Sequence, residues 1–95
     1  MQKSTWLSAA IVGTAKGSGA RIAVCAIAQL ADEVGAVHAH AGALDGARMD
    51  TGAPDMEMLA AQLRALVGLG WLAPLEWGPS GDLRTALTVP EGVGL

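Results

Sequence analysis

Residues 55–75 read DMEMLAAQLRALVGLGWLAPL, and this stretch decides the fold. Met56, Leu59, Leu63, Leu66 and Val67 recur with the three-and-four spacing of an α-helix that buries one stripe. Asp55 is placed to cap the helix through its carboxylate, with Pro54 just outside. Gly68-Leu69-Gly70 breaks the run, and Gly70 suits the left-handed residue that ends a helix. Trp71 and Leu72 follow at once. The chain therefore leaves the helix still carrying apolar bulk, which enters a core most simply as a strand.

Downstream, residues 71–77 (WLAPLEW) and 83–89 (LRTALTV) read as two strands of a hairpin, with GPSGD between them as the turn. Alternation puts Leu83, Thr85, Leu87 and Val89 on one face of the second strand and Arg84, Ala86 and Thr88 on the other. Pro74 fits an edge or a bulge.

Upstream, Ser4 or Thr5 can cap a helix over residues 5–15, closed by Lys16-Gly17-Ser18-Gly19. Backbone N–H groups in this glycine-rich piece could cradle an anion. It lacks the order of a phosphate loop, however, and no third glycine completes a dinucleotide fingerprint, so a simple turn is expected. Residues 21–24 (RIAV) fit either a short strand or the first turns of one long buried helix. We place a strand there and a helix over 25–34, because Ile27, Leu30, Ala31 and Val34 form a stripe that Gly35 stops. Cys25 is expected to be a small buried hydrophobe. Residues 36–54 (AVHAHAGALDGARMDTGAP) are dominated by small residues and glycines and read as a long, mobile connection with room for one weak helical turn.

Composition bounds the function. The 95 residues make one domain, and a 52% hydrophobic content against 16% charged is that of a chain that folds. A net charge of −3 provides no overall basic field for non-specific nucleic-acid binding. Tyr and Phe are absent and the three Trp are scattered, which excludes a stacking platform for single strands. One cysteine excludes an internal disulfide and a multi-cysteine zinc site. His38 and His40, with Asp45 and Asp50 downstream, form the one metal-like group, but no third ligand stands at a diagnostic spacing. A solvated loop is expected there, with no metal and no cofactor. No acid–base pair or activated nucleophile can be assembled, so an enzyme is not expected. No apolar run reaches the ~18–20 residues that span a bilayer. The start, MQKSTWLSAA, makes a poor secretory signal, and a cytoplasmic protein is expected.

Helix, helix, a long helix ending in GWL, then a hairpin: this order resembles the winged helix-turn-helix family. The resemblance rests on IAQLADEVG (27–35) as the family's second helix, LVGLGWL (66–72) as the end of its recognition helix, and LEWGPSGDLRTALTVP (75–90) as its wing. It implies a small α+β domain over residues 1–95, with three helices, a two-stranded wing, and 36–54 as a long insertion between the second and third helices. It also implies a homodimer that binds duplex DNA, with the third helix in the major groove and the wing on phosphate or minor groove. A transcriptional regulator, or a plasmid or phage replication or partition accessory, would work this way. In that pose Lys16, Arg21, Arg48, Arg64 and Arg84 are the DNA contacts.

The start of the helix carries Met56, Glu57 and Met58 where base readout ordinarily uses Arg, Lys, Asn, Gln, Ser or Thr. A winged helix that instead contacts a protein partner, through Met56, Met58, Ala61 and Ala65, is the alternative.

Overall fold

The computed structural model describes residues 1–93. The chain folds as α1 (Lys3–Gly13), α2 (Gly19–Leu30), β1 (Ala36–Ala39), α3 (Ala41–Thr51), α4 (Met56–Leu69), β2 (Glu76–Trp77) and β3 (Leu83–Ala86). It is a small α+β domain with four helices and a three-stranded antiparallel sheet of order β1-β3-β2.

The long helix forms as its spacing dictates. Leu59, Leu63 and Leu66 are fully buried. The Asp55 carboxylate accepts the Met58 N–H at 2.8 Å, and Gly70 closes the helix at φ 90°. There the Trp71 N–H donates to the Leu66 carbonyl and that of Gly70 to Val67, so the terminal carbonyls are satisfied as the chain turns away. The hairpin also forms, with Glu76 opposite Arg84 and Trp77 opposite Leu83. Its strands are shorter than expected; beyond them, pairing continues through Ala73 N–H on the Ala86 carbonyl and a bridge between Leu72 and Leu87.

Three expectations upstream are corrected. Residues 21–24 are not a strand: a single helix runs from Gly19 to Leu30, capped by Ser18 Oγ on the Arg21 N–H. It stops short of Val34 because Asp32 Oδ1 takes the N–H groups of Val34 and Ala36, drawing the backbone into a turn. Cys25 is exposed, since the buried stripe of α2 runs through Ala23, Val24, Ala26 and Ile27.

The third correction is the largest. The stretch 36–54, expected as a mobile insertion between two helices of three, holds a strand and a fourth helix. β1 pairs with β3 in the register Val37 to Thr85 and Ala39 to Leu83, burying Val37 and Ala39. α3 buries Leu44 and Ala47 in the same core. Small residues suffice here because they lie close against α2.

The first helix starts at Lys3, two residues earlier than expected, and its N-cap Gln2 makes no side-chain bond. It is pinned from its buried face: the Trp6 indole N–H donates to the Trp71 and Thr88 carbonyls. Gly13 ends α1 where a Cβ would lie 2.4 Å from the Trp71 ring, so only glycine permits this approach. Among the described residues, no helix is long and apolar enough to cross a membrane.

Candidate functional site

α3 and α4 are joined by residues 52–55. Gly52, at φ 85°, donates its N–H to the Arg48 and Met49 carbonyls, and Ala53 donates to Arg48. Asp55 then caps α4, so one helix is closed and the next opened within a four-residue turn. Arg48 holds this turn from inside. Its Nε donates to Asp45 Oδ1 at 2.7 Å, and Nη1 donates to the carbonyls of Ala53 at 3.0 Å and Pro54 at 3.3 Å.

Arg21 has a comparable task at the end of α1. Its Nε donates to Thr14 Oγ1 at 3.0 Å, and Nη2 reaches the carbonyls of Thr14 and Ile11. α1 has no basic residue in its own last turn. Arg21 therefore brings the cation that the C-terminal carbonyls favour from the neighbouring helix. Of the five cations expected at an interface, Arg21 and Arg48 thus each donate to two backbone carbonyls through one terminal nitrogen and to a side-chain oxygen through Nε.

The other three are exposed. Lys16 lies in the turn between α1 and α2, Arg64 on the outer face of α4, and Arg84 on β3. Among the described residues, none of the three forms an ion pair. Arg64 borders Val67, Gly68, Pro74 and Leu75 in a groove between α4 and the approach to β2. Arg84 stands in the central strand, opposite His38 on β1 and Glu76 on β2. With Glu76, Trp77, Pro79 and Asp82 it lines a cavity of about 320 Å³ at the hairpin. The structure thus places Arg64 and Arg84 on α4 and the hairpin that follows it, with Lys16 on a separate turn.

The exposed face of α4 consists of Glu57, Met58, Ala61, Arg64, Ala65, Gly68 and Leu69. Met56, expected on this face, is instead half-buried against the core. Asp55 and Glu57 sit at the positive end of the helix dipole, which they stabilise while opposing any phosphate brought there. Met49 on α3 and Trp77 on the hairpin add further exposed apolar surface.

The two histidines separate. His40 caps α3, its Nδ1 accepting the Ala43 N–H at 3.1 Å. His38, on the outer face of β1, has Nε2 3.7 Å from Asp82 Oδ2. Among the described residues, no three of His, Cys, Asp or Glu converge as a metal site. The carbonyl-holding roles of Arg21 and Arg48 escaped the sequence reading, although a cation just past a helix stop (Arg21) and one four residues before a glycine stop (Arg48) are signals for them. No family model matches this chain, and no curated protein or solved structure does.

Proposed function

We propose that this is a winged helix-turn-helix domain that binds duplex DNA. In it α3, in place of the 27–35 segment expected as the second helix, forms the helix-turn-helix with α4, α4 is the recognition helix, and the β2–β3 hairpin is the wing. The observation that carries this reading is the four-residue turn at 52–55, capped on both sides and clamped by Arg48, with a hairpin directly after α4. That arrangement holds one helix face outward beside a β-ribbon, as major-groove binding requires. Arg64 on α4 and Arg84 on the hairpin, both exposed and unpaired among the described residues, are the proposed phosphate or groove contacts. Three exposed cations without an ion pair among the described residues are few, so useful affinity calls for a homodimer on a two-fold site. A transcriptional regulator or a replication or partition accessory fits such a small, acidic binder.

Neutralising a phosphate contact lowers the slope of log affinity against log salt by about one unit. Arg64→Ala and Arg84→Ala should each do so in a duplex titration over several salt concentrations. If both variants keep the wild-type affinity and slope, these contacts are wrong.

The exposed Met58, 45% accessible, favours a second reading. With Ala61 and Ala65 it makes a small, weakly charged face suited to close packing against a protein partner. Met58→Asp separates the two: it should abolish binding to such a partner, because a carboxylate would be buried there.

A further inference from the structure

The outer face of α1 carries no charge. Lys3 is the one ionisable residue in the helix, and its Nζ turns to the end of α2, donating to the Ala31 carbonyl at 3.2 Å. A helix face in water ordinarily carries charged and polar side chains. Here Ser4, Thr5, Ser8, Val12 and Gly13 are exposed, and Val12 reaches 87% accessibility. Beside Val12 lies a groove of about 670 Å³, walled by Thr5, Ala9 and Gly13 of α1, by Trp71 and by Val93. Gly13 lets the helix come against the Trp71 ring, which floors the groove. An apolar projection and an apolar hollow thus stand side by side on one helix.

Two features identify what covers this face. A two-fold interface brings the same patch of both copies together, so the patch must hold both a projection and the hollow that receives it. Val12 and the groove beside it meet that condition, whereas an unrelated partner would need only one of the two. Charge points the same way. Each chain has a net charge of −3, so two copies repel over most of their surfaces. The groove is lined by no ionisable residue, so copies that meet there bring no like charges together. Size sets the strength. A specific interface takes about a tenth of a small protein's surface per partner, roughly 500 Å² of the 5080 Å² here. With α1 only about 16 Å long at its centre, the contact belongs to the small, weaker class that exchanges with monomer.

We propose that two copies of this chain pair through α1, the Val12 side chain of each entering the groove over Trp71 of the other. The purpose of the pair, to set two α4 helices on one duplex, rests on the DNA-binding function proposed above. The placement of the elements suits that purpose. α1 and α4 both pack on α2. No residue of the groove belongs to the exposed face of α4 or to the hairpin, so both stay free in each copy. The chain is 36 Å in its longest dimension. Two joined copies can therefore hold their α4 helices one duplex turn, about 34 Å, apart.

The test is sedimentation equilibrium of the full chain, from micromolar to submillimolar concentration, for the wild type, Val12→Asp and Val12→Ile. Val12 is exposed in the single chain, so both variants should keep the wild-type far-UV circular dichroism. The wild type and Val12→Ile should pair. Val12→Asp should weaken pairing about a hundredfold, because the two-fold axis buries the carboxylate twice. Pairing through an uncharged face should also persist as salt is raised, unlike duplex binding. A wild type that stays monomeric at every concentration would overturn the proposal and leave the groove to a different partner. Pairing unaffected by Val12→Asp would overturn it too, by placing the contact on another face. A duplex titration of the same samples separates this interface from the DNA reading. Val12→Asp should halve the wild-type salt slope. A wild type that pairs but binds no duplex would overturn the DNA reading and leave the interface standing.

Discussion

Trp6 lies fully buried in α1, and its single indole N–H divides between the carbonyls of Trp71, at 2.9 Å, and Thr88, at 2.8 Å. Its ring meets that of Trp71 edge-on, with centroids 6.5 Å apart. One side chain thus ties the first helix to the exits of α4 and β3. Trp6→Phe keeps most of the apolar area and removes the donor. It should cost about 1–3 kcal/mol in denaturant unfolding, the range for a buried acceptor left unmade; a loss under about 0.5 kcal/mol would mean water replaces the indole. Arg48 acts through the same kind of bond at the turn before α4. Arg48→Met retains the aliphatic stem and should cost about 1–2 kcal/mol, since the guanidinium bonds are partly solvent-screened. Unchanged stability would show that Gly52 and its hydrogen bonds hold the turn alone. The role of Trp6 could not be read from spacing, because it depends on carbonyls presented by other elements, whereas Arg48 stands four residues before the Gly52 stop that it helps to hold.

α4 was legible because bulky Leu residues mark its stripe and Asp55 and Gly70 mark its ends. The same physics hid α3 and β1. In AGALDGARMDT only Leu44 and Ala47 are buried, and Gly42 and Gly46 interrupt the helix, so the periodic signal nearly vanishes. β1 is four residues long, too short for its alternate burial to stand out among alanines. α2 was cut in two because RIAV suits a strand as well as a buried helix, a tie that only tertiary packing resolves. Of the candidate contacts, Arg64 and Arg84 fell on exposed faces as their positions in the helix and strand implied. If α3 is an integral element, its central amides, Leu44 to Arg48, should exchange slowly, close to the rate set by global unfolding. Leu44→Ala should cost about 2–5 kcal/mol. Fast exchange there, with a loss well under 1 kcal/mol, would restore the picture of a mobile insertion.

At the scale of the whole molecule, composition alone indicated a folded chain with a weak, acidic overall field, and the structure distributes that field unevenly. Asp55 and Glu57 lie at the start of α4, whereas Lys16, Arg64 and Arg84 are exposed on the turn before α2, on α4 and on the hairpin. The DNA binding proposed for this chain would therefore come from a few local contacts. Each neutralised phosphate contributes about −0.9 to the slope of log affinity against log salt, so three exposed cations predict a slope of about −3 per protomer, doubled in a dimer. The most direct test is a fluorescence-anisotropy titration of a labelled duplex at low salt, repeated as the salt is raised. The account predicts saturable binding that weakens with that slope. No binding at the lowest salt, or binding indifferent to salt, would contradict it.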